Sequence, residues 1–313
     1  MLHLRVVCPQ GRTADVTGVL RDEPGVAHLV VHPGVAVHPA GDLVEADVAR
    51  ECADDLLGRL ADLGIDHDGG ITLEQLDTVL SDRADAAEEA APGDGADAVV
   101  WDELINRTGE ESRLSLSFLT FLTIACLLAA IGAVTDSPVT VVGAMVLGPE
   151  FGPMAAVAVG LVLRRRDLVT RGAVALAAGF PLAMLVTALA TLLFDAAGWL
   201  TADALDALDQ VDFIYEVGPF SLLVALLAGA AGMLSLTSAK SSVLVGVFIS
   251  VTTVPAAAFA SVAAIEGRWS EAGQSVLQLG VNVVGVVVAA ALVLLLARSR
   301  SRRRGADRAL SDG

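Results

Sequence analysis

Gly148-Pro149-Glu150-Phe151-Gly152-Pro153 interrupts a long apolar run with two glycines, two prolines and a carboxylate. No helix passes undisturbed through such a stretch, because each proline removes a backbone donor and crowds the preceding turn. Inside a membrane the backbone groups freed there must be satisfied by protein or by a wet cavity. Glu150 is the only formal charge in this run. A carboxylate at that depth must be protonated, paired or facing water, since a bare charge there costs on the order of a few kcal/mol. Proton coupling or cation binding follows from that requirement. The structural alternative is that Glu150 caps the freed amides of its own break.

Outward from the break the chain is that of a membrane protein. It is 54% hydrophobic with mean hydropathy +0.66, and the excess clusters from about residue 114 onward. Six stretches are long enough to cross about 30 Å of hydrocarbon: residues 114–134, 138–163, 172–194, 219–236, 241–265 and 273–297. They are rich in Ala, Gly, Val and Leu, which favours close helix packing through small residues. No N-terminal run resembles a signal peptide, because His3, Arg5 and Pro9-Gln10-Gly11 interrupt it. Arg164, Arg165, Arg166 and Arg171 follow the second span, and Arg298 to Arg308 follow the sixth. Basic loops stay inside, so both termini are expected in the cytoplasm and the chain in the inner (plasma) membrane. The acidic loop from Asp195 to Glu216 then falls outside. Within it Leu200, Ala204, Leu208, Val211 and Tyr215 recur at helical spacing and predict a helix on the outer surface.

Nearly all the charge lies ahead of the spans. Residues 1–112 hold 7 Arg against 24 Asp and Glu, and the rest of the chain is balanced, which accounts for the net −17. So acidic a segment repels nucleic acid and anionic lipid, and neither is expected as its ligand. Its pattern is strand, helix, two strands, helix, strand. The strands are 2–7, 26–32, 43–48 and 65–73, the last bent at Gly69-Gly70, with helices over 12–20 and 49–63, the second stopped by Gly64. This βαββαβ order predicts a ferredoxin-like domain, an arrangement that names no function. The expected organisation is α+β: a soluble domain over 1–73, an acidic linker and membrane-proximal helix over 74–113, a six-span domain over 114–297 and a basic tail over 298–313.

Chemistry-bearing motifs are few. Cys8, Cys52 and Cys126 have no paired spacing and read as buried thiols. His28, His32 and His38 surround one hairpin, where a polar face explains them without a metal. Asp66-His67-Asp68-Gly69 lacks the later ligands of a calcium loop and reads as a turn. There is no phosphate loop, nucleophile elbow or H-E-x-x-H, and no histidine in the membrane part. No enzymatic activity, cofactor or metal is expected.

An internal repeat remains. Val141-Val142-Gly143-Ala144-Met145-Val146 recurs as Leu244-Val245-Gly246-Val247-Phe248-Ile249, each after a short polar turn and each followed by a proline break, the second at Thr252-Thr253-Val254-Pro255. Three spans separate the copies, so the halves cross in opposite senses, as in inverted-repeat transporters. The expected solute or ion path is lined by Gly148, Pro149, Glu150, Gly152, Pro153, Thr252, Thr253, Pro255 and Asn282, with Gln274 and Gln278 as further polar side chains. Asp136, read as a helix cap before Pro138, and Lys240, read as a snorkelling anchor, are secondary candidates. Half-helix N-termini after Pro153 favour an anion and exposed carbonyls before the break a cation; the residues alone leave both open.

Thr135-Asp136-Ser137-Pro138 leading into Gly143-Ala144-Met145, the Gly152-Pro153 break, and residues 237–242 with Val245-Gly246-Val247 resemble the bacterial and archaeal hydrophobic-domain family called domain of unknown function 389. The resemblance covers roughly residues 110–265 and includes the plan of a small soluble domain ahead of the spans. It implies no established activity, and Glu150 and the single Pro255 depart from the family pattern. Two functional classes follow: a transporter or channel for a small solute or ion with a regulatory cytosolic domain, or a non-transporting membrane scaffold or sensor. The expected partners are the lipid bilayer, a small solute or ion, and further copies of the chain as a dimer or trimer.

Overall fold

The computed structural model describes residues 1–91, 93, 98–199, 218–238 and 253–311, with 300–311 as backbone. The chain divides into two compact units, one over Met1–Glu103 together with Thr237 and Ser238, and one over the other described residues from Leu104 onward.

The first unit contains β1 (Leu2–Cys8), α1 (Thr13–Arg21), β2 (Val26–Val37), β3 (Ala40–Val48), α2 (Arg50–Asp62), the short α3 (Ile65–Asp68) and β4 (Gly70–Gln75). The sheet order is β2-β3-β1-β4, with every neighbouring pair antiparallel. Alternation explains its sidedness. Leu2, Leu4, Val6 and Cys8 of β1 join Val44 and Val48 of β3 in a core shared with Val16 and Leu20 of α1 and Cys52, Leu56 and Leu60 of α2.

Three local expectations are corrected. β2 runs through Pro33-Gly34, and the turn comes at His38-Pro39. Because β2 is an edge strand, a proline there removes a donor that the ladder does not need. Residues 65–68 form a helical turn that buries Ile65, so the last strand starts only at Gly70. Gly64, at φ 74, stops the preceding helix as expected. The linker contains a helix, α4 (Asp82–Ala90), capped by the Ser81 side chain, which accepts from the Arg83 and Ala84 amides. Its buried residues are Ala84 and Ala87, too small to give the sequence a visible apolar period.

The second unit holds most of α5 (Trp101–Glu111), then α6 (Leu116–Val134), α7 (Pro138–Leu147), α8 (Phe151–Leu163), α9 (Arg166–Ala196), α10 (Pro219–Thr237), α11 (Val254–Ile265) and α12 (Trp269–Ser311). Among the described residues, α6, α9, α10 and α12 are long and apolar enough to cross a membrane, and α7 with α8 makes a fifth, bent by 50° at the break. Leu116, Leu193, Phe220 and Leu227 stand exposed on these helices, as lipid-facing side chains do. The sixth expected span is described only from Thr253. Its helix α11 has 12 residues, about 18 Å, and does not by itself span the bilayer. The second repeat copy, Lys240, Thr252 and the outer helix expected over 200–215 lie outside the described residues.

Two short helices form the interior. Every residue of α11 from Val254 to Ala263 is buried, and α8 buries Gly152 to Ala156 and Ala158 to Gly160. A helix apolar on all sides belongs in a core. α8 packs against α9 and α12, and α11 against α6, α9 and α12. Met154 of α8 packs with Val286 of α12, and further along both helices the Val162 carbonyl accepts from Arg298 at 2.7 Å. These contacts advance together, so α8 and α12 run in the same direction. α11 packs back against α12 across the tight turn at Gly267, φ 76, and runs the opposite way. The two interior helices are therefore antiparallel.

Candidate functional site

The break begins where α7 ends. Gly148 closes α7 in extended backbone, Pro149 supplies no donor, and Glu150 stands at the N-cap of α8. Thr253 stands at the N-cap of α11, with Pro255 two residues on. These two N-caps meet: the Thr253 hydroxyl donates to Glu150 Oε1 at 2.6 Å, both side chains being fully buried. Glu150 Oε2 has no hydrogen-bond partner among the described residues. Gly148 makes room for this arrangement, because a Cβ at that position would overlap the Glu150 carboxylate.

Neither N-cap side chain accepts from the first turn of its own helix. The Glu150 carboxyl does accept from its own backbone amide, so the purely structural reading, as a cap for the amides of its own break, describes this geometry in part. Met154 donates to the Glu150 carbonyl at 3.3 Å and Ala257 to the Thr253 carbonyl at 3.0 Å, as the fourth amide of a helix does. Pro153 and Pro255 each remove one of the three amides that precede. Phe151 and Gly152 are left as first-turn donors of α8, and Val254 and Ala256 as those of α11.

A cleft of about 400 Å³ reaches the same break. Gly148, Pro149, Phe151 and Gly152 form its inner wall, with Phe118 and Phe121 of α6 beside them. Arg107, Glu110, Glu111 and Arg113 ring it, and Arg107 pairs with Glu111 at 3.3 Å. The Glu150 carboxylate does not line this cleft.

A second polar group lies between α10 and α12. Gln278 donates to Ser221 Oγ and, at 3.4 Å, to Asn282 Oδ1, while Ser221 donates to Asn282 Oδ1 at 3.5 Å. Ser275, Gln278 and Asn282 are buried, and Ser275 Oγ and Gln278 Oε1 have no partner among the described residues. Since α8 and α12 are parallel and Met154 meets Val286, one turn back on each helix puts Asn282 near the level of Glu150. Gln274 is exposed and joins neither group. Ser221 and Ser275 escaped the sequence reading, although 275, 278 and 282 form one helical stripe of polar residues in an apolar span.

Asp136 is not the cap expected of it. Ser137 caps α7 by accepting from the Thr140 amide at 3.4 Å, beside Pro138 in the first turn. Asp136 takes the left-handed turn between the helices, φ 46, a conformation that Asp tolerates better than most residues.

In the first unit the histidines meet carboxylates. Asp47 lies between His3 Nδ1 at 2.8 Å and His28 Nδ1 at 2.6 Å, and His32 faces Glu45 at 3.4 Å. Burial disfavours the Asp47 charge, but the His28 and His3 hydrogen bonds outweigh it and hold the carboxyl below its ordinary value. His28 Nε2 also reaches Ser81 Oγ at 2.8 Å, tying β2 to the cap of α4. All three cysteines are buried free thiols, as read from their spacing.

Residues 145–293 match the family described as "Domain of unknown function (DUF389)". The match begins inside α7 and runs into α12, so it takes in the break, Thr253 and Asn282. The chain is also 22% identical, over 206 residues, to an uncharacterized protein of Methanocaldococcus jannaschii, MJ0678. That alignment covers 66% of this chain and 62% of the relative, so the chain spans less than two thirds of the relative's length. No solved structure matches. The stretch that resembles the DUF389 family is thus the one that holds the break and its partner.

Proposed function

We propose that this chain is a transporter or channel for a small solute or ion, with Glu150 and Thr253 at its centre and the acidic N-terminal domain regulating it from the cytosol. One observation carries the reading. Two interior half-helices run antiparallel and are joined N-cap to N-cap through the Thr253–Glu150 hydrogen bond. A buried carboxylate with an unused oxygen is costly to maintain for packing alone. Discontinuous helices meeting near the middle of a bundle are where secondary transporters bind their substrates.

The packing supports an inverted repeat. α8 lies against the third helix of each half, α9 and α12, and so does α11. The strand order of the first unit supports the ferredoxin-like reading, since each helical crossover skips one strand. The basic loops favour cytoplasmic termini in a plasma membrane.

Purified protein in liposomes should carry a pH- or ion-dependent flux, and Glu150→Gln should change its pH dependence. The scaffold reading draws on a different observation, that the Glu150 carboxylate does not line the cleft. A protein inert to a broad panel of ions and metabolites would favour it.

A further inference from the structure

We propose that the junction of α8 and α11 is a binding site for a small monovalent anion, and that the Glu150 side chain is its resident occupant. The inference rests on the transport reading and names its substrate class. Each helix N-terminus carries roughly half a positive charge, so two meeting at one point offer about one positive charge to whatever lies between them. Four backbone amides, those of Phe151, Gly152, Val254 and Ala256, belong to these first turns. The Thr253 hydroxyl adds a fifth donor, already committed to Glu150 Oε1 at 2.6 Å. First-turn amides and a positive field are what an anion requires.

The Glu150 carboxylate balances that field while it is charged and in place. Its second oxygen, wholly buried, has no partner among the described residues, so the side chain is held at one end only. When a proton from solution binds the carboxylate, one negative charge is lost and the donors are left facing an uncompensated positive field. A small anion from solution then replaces the side chain. The cleft brings solution to Gly152, whose amide is one of the donors, and places Arg107 and Arg113 at its rim with Glu110 and Glu111. The Cys126 thiol of α6 lies within electrostatic reach of the carboxylate, and the Glu111 side chain lies against Gly152. Oxygen-lined cation sites are built from acceptors, whereas this junction presents donors.

The test is anion and cation flux in proteoliposomes, with chloride, bromide, nitrate and potassium as probes, alongside bromide binding to the detergent-purified protein. Wild-type anion flux should rise as pH falls, by up to about tenfold per pH unit, the limit for a single proton. Glu150→Gln and Glu150→Ala should each make anion flux independent of pH and raise bromide affinity at neutral pH. Thr253→Val, in the Glu150→Gln background, should weaken bromide binding by about tenfold, the loss of one donor. Flux selective for potassium would overturn the anion assignment and leave transport standing. Anion flux whose pH dependence survives both Glu150 substitutions would overturn the resident role of the carboxylate. No flux of any probe, with no bromide binding by either variant, would remove both this inference and the transport reading.

Discussion

At the scale of single residues the junction is decided by two side chains 103 positions apart. Thr253→Val keeps the shape of the side chain and deletes the donor to Glu150 Oε1. A hydrogen bond to a buried acid contributes on the order of 2 kcal/mol, so the variant should lose about that much stability in denaturant titrations of the detergent-solubilised protein, while Thr253→Ser should lose little. The losses from Thr253→Val and Glu150→Gln should not add, because each removes the same contact. In the N-terminal unit, Asp47 is held below its ordinary value despite burial, so its contribution is present above the unfolded carboxyl value near 4 and disappears as pH falls through the lower folded value. His28→Gln removes the stronger of its two partners. The Asp47 carboxyl, followed by carbon-detected NMR titration of the whole protein, should then titrate at higher pH. Glu150 itself was legible in the sequence as a charge with no neighbour to explain it. Its partner was not, since nothing local marks which of many threonines meets it.

At the scale of elements, prolines and glycines announced where helices stop, and small residues decided where they touch. The break at 148–153 was visible because local chemistry forbids a helix there, whereas α4 was hidden because alanines bury without leaving an apolar rhythm. The same smallness governs the membrane helices. A Cβ on Gly172 of α9 would meet the Pro153 carbonyl of α8, and one on Gly229 of α10 would meet the Val286 backbone of α12. Backbone atoms cannot swing aside as a side-chain tip can. Gly172→Val and Gly229→Val should therefore each cost about 1–3 kcal/mol or more, seen as a lower melting temperature and poorer recovery in detergent. Gly143→Val on α7, where the space is open, is the matched control and should melt close to the unsubstituted protein. If the three substitutions proved equally harmful, helix propensity rather than close approach would be the cause, since each places a β-branched residue in a helix.

At the scale of the whole molecule, charge sets direction. The spans could be counted roughly from hydropathy, but the antiparallel course of α8 and α11 needed contacts that hydropathy does not contain, namely Met154 with Val286 and Val162 with Arg298. Which side of the membrane each end occupies is argued from loops instead. Arg164, Arg165 and Arg166 follow α8, a run of arginines closes the chain, and the segment from Asp195 to Glu216 holds no Lys or Arg. Each cationic side chain at a span end resists translocation, while acidic side chains contribute little to orientation. A cysteine placed at Asp203 should therefore react with a membrane-impermeant maleimide in intact cells. One placed at Arg164, which is exposed, should react only after permeabilisation. The native cysteines, all buried, supply a low background. The opposite pattern would put the acidic domain outside and turn the cleft beside Gly152 toward the exterior. Protons driving Glu150 from its site would then enter from the acidic side of an energised membrane. On the proposed displacement of Glu150, orientation thus decides whether a proton gradient would open the junction or hold it closed.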